Sequence, residues 1–191
     1  MLDSEALQVT LLVTDVLDSL EIPYVIGGSV ASIFHGMVRT TMDANILANI
    51  EKKHVGPFVT AMQNQFYIDE QSLIQAIERR SSVNLIHLQT MFKVDIFVPK
   101  ERPFDQQQLV RRISERFKAD SDKTIWLLSA EDVILAKLDW FRPGGEVSER
   151  QWRDILGILK TQQDTVDIAY LQKWSKELQV QDLLERALVE L

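Results

Sequence analysis

The fold turns on two neighbouring stretches: Tyr24-Val25-Ile26-Gly27-Gly28-Ser29-Val30-Ala31-Ser32-Ile33-Phe34 and Arg39-Thr40-Thr41-Met42-Asp43-Ala44-Asn45-Ile46-Leu47. The first reads as a short apolar strand, a glycine turn and a helix that Ser29 is placed to cap, with Gly36 closing it. The second reads as a polar approach to another apolar strand, Asp43 to Ile50. Strand side chains alternate, so Asp43, Asn45 and Leu47 share one face while Ala44, Ile46 and Ala48 take the other.

That order sets a backbone turn beside two oxygen donors. Gly27 and Gly28 permit close backbone approach, and the helix that follows has a positive dipole end that suits a phosphate. Arg39 can add a charge-assisted contact. Oxygen donors at i and i+2 can converge on one hard cation. In Phe92-Lys93-Val94-Asp95-Ile96-Phe97-Val98 the apolar face is Val94, Ile96 and Val98, and Asp95 lies opposite it. A carboxylate in such a strand is costly unless paired, hydrogen-bonded or metal-bound. Two readings of Asp95 stand at this stage: third metal ligand, or ion-pair partner of Lys93 or Arg39.

Working outward, Leu7, Leu11, Leu12, Val16, Leu17 and Leu20 predict a first helix with Ser4 at its cap. Helices are expected over Lys52 to Gln63, interrupted near its start by Gly56-Pro57, over Gln71 to Arg79 and over Phe104 to Phe117. Val83 to Leu88 and Phe92 to Val98 read as a hairpin, and Thr124 to Leu128 as a last strand. Beyond it only helices are expected, near Glu131–Phe141, Ser148–Lys160, Asp167–Leu178 and Gln181–Val189, the first opening on Ser129-Ala130-Glu131-Asp132. The expected architecture is α+β: a mixed sheet flanked by helices over residues 1–128, then a helical region over 129–191 packed on it, with the active-site cleft between them.

The 191 residues are 46% hydrophobic with a formal net charge of −7 and no cysteine. That charge disfavours a duplex-DNA binder, whose affinity comes from neutralising phosphates. The lack of cysteine removes disulfides and thiolate metal sites and suits a cytoplasmic protein. No signal peptide or transmembrane segment is expected. Arg111, Arg112, Arg116 and Lys118 read as a solvated helix face before an RNA contact. His35, His54 and His87 lack metal-ligand spacing. Trp126, Trp140, Trp152 and Trp174 read as packing between the two parts of the chain rather than base stacking.

Taken together, these motifs resemble the nucleotidyltransferase superfamily that includes DNA polymerase β and the minimal nucleotidyltransferases. Within it the chain is most similar to the bacterial group related to AbiEii-type toxins. The matching residues are Gly27-Gly28-Ser29, Ala31, His35-Gly36, the Arg39–Asn45 run and Asp95. Further on they are Ser129-Ala130-Glu131-Asp132, Lys137 and Arg153-Asp154-Ile155. The resemblance implies transfer of a nucleoside monophosphate from an NTP to an RNA or protein hydroxyl with two Mg²⁺ ions (or Mn²⁺), both held by Asp43 and residue 45, while Asp95 holds the one that activates the acceptor and accepts its proton. Gly27, Gly28, Ser29, Arg39 and Lys137 would contact the nucleotide. The family pattern has Asp where this chain has Asn45, a neutral donor with one oxygen. Activity is therefore expected to be reduced, shifted in metal preference or lost. The alternative expectation is a catalytically silent module that binds nucleotide or a partner protein, antitoxin-like or regulatory.

Overall fold

A computed structural model describes residues 5–38, 40–116 and 123–191. The chain divides into two compact units, Met1–Val30 with Thr40–Leu127, and Ala31–Arg39 with Leu128–Leu191.

The first unit is built on a seven-stranded mixed sheet among the described residues, in the order β3-β4-β5-β2-β1-β7-β6. The strands are β1 (Tyr24–Gly27), β2 (Asp43–Ala48), β3 (Phe66–Tyr67), β4 (Ser82–His87), β5 (Lys93–Phe97), β6 (Ile113–Arg116) and β7 (Thr124–Leu127). β2 runs antiparallel to β1 and parallel to β5, and β4 pairs antiparallel with β5, as a hairpin requires. Period-two burial is clean along β2 and β5: Ala44, Ile46, Ala48, Val94 and Ile96 are fully buried, while the alternate residues keep part of their surface. Helices α1 (Glu5–Ser19), α3 (Val55–Met62) and α4 (Glu70–Arg79) cover the apolar face, α1 against β2 and α4 against β4, with α3 touching both helices. Leu7, Val13 and Leu17 of α1 and Phe58 of α3 are sealed in that layer, and burying each such side chain contributes about 1.5–3 kcal/mol. The opposite face is left to carry polar groups.

Three expectations change here. The helix Phe104 to Phe117 stops early: α5 covers Pro103–Val110, and Ile113–Arg116 is the edge strand β6, antiparallel to β7. The chain leaves the helix because Arg112 is drawn away. Its guanidinium donates to Tyr24 O at 2.9 Å and stacks 4.3 Å from the Trp126 ring centroid. Arg112 and Arg116 are thus not on a helix face, and Lys118 lies outside the described residues, as do Ser4, Arg39 and Phe117. The start of Lys52 to Gln63 is a 3-10 turn, Lys52–His54, and Gly56-Pro57 do not interrupt the helix but lie in the first turn of α3, where a proline's missing N–H costs nothing. The two-residue strand β3 carries no signal in the sequence and is an addition to the expected sheet.

α2 (Gly28–Phe34) begins in the first unit and ends in the second. Its end is a Schellman closure: Met37 N–H donates to Ser32 O (3.0 Å), Gly36 N–H to Ile33 O (3.1 Å), and Gly36 has φ +105°. The rest of the second unit is α6 (Ala130–Phe141), α7 (Glu149–Thr161), α8 (Ile168–Glu177) and α9 (Gln181–Val189). Ser129 caps α6 by accepting from Asp132 N–H at 3.2 Å, where the sequence placed a helix start. Ile134, Leu138, Ile155, Ile158, Leu171 and Leu184 make the core of this unit. Trp152 stacks on Phe141 and under Arg186, Trp174 packs on Tyr170, and Trp140 is exposed. Among the described residues no helix is long and apolar enough to cross a membrane.

Candidate functional site

The polar face of the first unit has two rows of residues fixed by strand register. One runs Gly27, Asn45, Asp95, Asn84 across β1, β2, β5 and β4. The next runs Asp43, Lys93, Ile86, Tyr67 across β2, β5, β4 and β3. Asp43, Asn45 and Asp95, which the sequence singled out, therefore stand on one face of two adjacent parallel strands. Gly27 ends β1 directly opposite Asn45. Gly28 turns the chain at φ +57° into α2, and Ser29 is buried in the first turn of that helix.

Local bonds orient these groups. The Thr41 hydroxyl donates to Asp43 Oδ1 (3.0 Å) and accepts from Asp43 N–H (3.4 Å), so the approach to β2 fixes the carboxylate at its first position. Asp95 is 13% exposed at its side chain. Its Oδ2 accepts from Lys93 Nζ at 2.8 Å, and its Oδ1 is buried with no hydrogen-bond partner. Lys93 is the residue that sequence reading names only as an ion-pair partner, although the signal is present: it lies two positions before Asp95 on the same strand face. The Asp95 hydrogen bond pushes the Lys93 ammonium above the usual lysine range. Burial opposes this, and the charges of Asp95 and Asp43 add to it.

Among the described residues no group of three His, Cys, Asp or Glu side chains gathers to hold a metal. The donor set here is two carboxylates and one amide oxygen. A buried carboxylate oxygen without a donor, on a face shared with Asp43 and Asn45, fits one divalent cation.

Two further residues of the motifs that carry the resemblance sit in the second unit. Lys137 is buried on α6, and its Nζ donates to the buried Asp154 of α7 at 2.8 Å. His35 is buried, with Nε2 donating to Leu128 O at 2.7 Å.

No family model matches the chain, and no curated protein matches it. Solved structures do. The lincosamide antibiotic adenylyltransferase LnuA, bound to lincomycin, superposes with a TM-score of 0.50 at 15% identity, over 83% of this chain and 98% of that one. An antigenic nucleotidyltransferase-like protein from Paracoccidioides brasiliensis gives 0.52 at 17% identity, over 94% and 90%. ANT(2'')-Ia in complex with adenylyl-2''-tobramycin gives 0.52 at 12% identity, over 90% and 97%. The chain has the nucleotidyltransferase fold. Within that fold, β1, the Gly27-Gly28 turn and the β2–β5 pair are the elements that bring the candidate donors together.

Proposed function

We propose that the chain is a nucleotidyltransferase that moves a nucleoside monophosphate from an NTP to a hydroxyl group of an RNA or protein acceptor. The observation that carries this reading is the convergence of Asp43, Asn45 and Asp95 on one sheet face, with Gly27 in register with Asn45 and the Gly28 turn beside it. The same fold in LnuA and ANT(2'')-Ia supports it at the level of fold.

In this reading Asp43, Asn45 and Asp95 would hold one Mg²⁺ or Mn²⁺, not the two ions that the resemblance implies. The bound ion supplies Lewis-acid stabilisation of charge on the phosphoryl oxygens. Gly27, Gly28 and Ser29 let the triphosphate approach the backbone, and Arg39 adds positive charge. The acceptor oxygen attacks the α-phosphorus, a new P–O bond forms, the bridging α–β bond breaks, and pyrophosphate leaves. Asp95 is the carboxylate that takes the hydroxyl proton. Lys137 has no part in this proposal because Asp154 already engages its ammonium. The grouping with AbiEii-type toxins rests on the Gly27–Asn45 motif and is part of the same proposal.

One observation favours a second reading, a silent nucleotide-binding module. Asn45 is neutral and Lys93 is bonded to Asp95, so the face carries less negative charge than a two-ion site needs. The test is NTP binding and pyrophosphate release with Mg²⁺ and then Mn²⁺, on the wild type, Asn45→Asp and Asp43→Ala. Metal-dependent release lost in Asp43→Ala establishes the enzyme. Binding without release, rescued by Asn45→Asp, establishes the silent module. Absence of NTP binding in all three sinks both.

A further inference from the structure

We infer that Lys93 is a resident countercation: its ammonium is bonded to Asp95, on the face it shares with Asp43, and competes with a divalent ion for the two carboxylates. This rests on the reading of Asp43, Asn45 and Asp95 as cation donors, and it assigns to Lys93 a role that the sequence motif does not contain.

The geometry is specific. Lys93 lies in register with Asp43 on the neighbouring parallel strand and two residues before Asp95 on its own strand, so it shares a face with both carboxylates. Its Nζ is 2.8 Å from Asp95 Oδ2. The Asp95 side chain is 13% exposed, which shields the pair from solvent on one side, whereas Lys93 is 41% exposed and has an open side. Charge counting then sets the competition. Asp43 and Asp95 bring −2, Lys93 brings +1 and Asn45 brings nothing, leaving −1 for an entering divalent ion. An ion that displaces the ammonium recovers the full −2. The long, half-exposed stem of Lys93 can carry its charge out to solvent or onto a phosphate. The chain therefore holds a free divalent ion weakly, and an anionic ligand that draws Lys93 away strengthens the site.

The experiment is a Mn²⁺ titration of the full chain without nucleotide, with free Mn²⁺ read by electron paramagnetic resonance. The variants are Lys93→Met, Lys93→Met with Asp95→Asn, and Lys53→Met. Lys53 is an exposed lysine paired with Glu51 and serves as the control for net charge. Removing a like charge a few ångströms from the ion is expected to tighten Lys93→Met by at least about tenfold over wild type. Lys53→Met is expected to equal wild type, and the double variant to lose the gain. Equal or weaker Mn²⁺ binding by Lys93→Met, including no measurable binding by either protein, overturns the inference; so does a gain that survives Asp95→Asn. If circular dichroism shows Lys93→Met unfolded, Lys93→Gln carries the same comparison. No nucleotide is present, so a failed turnover assay leaves this result standing, and turnover without a Lys93 effect overturns only the countercation.

Discussion

Gly28 is closed against Asn45: a Cβ on residue 28 would stand 2.9 Å from Asn45 Cγ and 3.0 Å from its Oδ1. The turn that could admit a phosphate and the middle donor of β2 are in contact, so one cannot be altered without moving the other. Gly28 also holds φ +57°, a conformation that an L side chain adopts at a cost. Gly28→Ala is expected to lower stability by about 1–3 kcal/mol from backbone strain and crowding. NTP affinity is expected to fall with it. Urea unfolding and nucleotide binding on the same preparation check both, and an unchanged midpoint would mean that Asn45 yields freely.

Asn45→Asp puts a carboxylate in register with Asp95 on the next strand. Without metal the two like charges repel, and the variant is expected to melt below wild type by about 1 kcal/mol of stability. Added Mn²⁺ is expected to raise its melting temperature above the metal-loaded wild type, because binding to the folded state alone stabilises it. Thermal unfolding in chelator and in millimolar Mn²⁺ tests this. A variant that is indifferent to Mn²⁺ would argue against Asn45 as a cation donor.

The strongly patterned parts of this fold are legible in the sequence, and the parts decided by distant partners are not. Alternation in Lys93-Val94-Asp95-Ile96-Phe97 marks the strand and the exceptional position of Asp95. Gly36 marks a helix end that the Schellman bonds account for. Ile113–Arg116 reads as helix because a four-residue edge strand with one half-buried residue carries almost no period of two. What sets it is pairing with β7 and the anchoring of Arg112 on Tyr24 and Trp126, contacts invisible along the chain. At the site, Asp43 and Asp95 are readable because carboxylates in apolar strands stand out. Lys93 is legible only as one of two possible ion-pair partners of Asp95, because a lysine on a strand is ordinarily a surface residue.

Lys137 and Asp154 form a buried pair between α6 and α7. Removing one partner strands the other charge in the interior, so Lys137→Met is expected to cost about 3–5 kcal/mol. Lys137→Met combined with Asp154→Leu is expected to regain much of it. If Lys137 instead served the nucleotide, the single variant would keep its stability and lose NTP affinity. Chemical unfolding alongside nucleotide binding separates the two roles.

Acid is expected to weaken the fold, and the sign follows from the carboxylates of the second unit. The Arg142 hydrogen bond holds Asp182 below the usual range, and the Trp152 indole N–H followed by Arg186 does the same for Glu190. A depressed folded value contributes stability that is present above the unfolded value and is lost as pH falls through the folded one. The loss should therefore begin near the ordinary carboxylate values of 3.8 and 4.5 and continue below them. Asp18 acts in the opposite sense. Burial raises its value, so the folded state takes that proton first and gains stability as pH falls through it. Glu190→Gln removes one acid-sensitive contact and should flatten the stability slope below pH ~4.5, while Asp18→Asn should steepen the net loss. Urea midpoints at neutral pH and at two acidic values read the slopes. An Asp18→Asn slope equal to wild type would show that the Asp18 carboxyl keeps its ordinary acidity in the fold, and a shallower one that its value is lowered there.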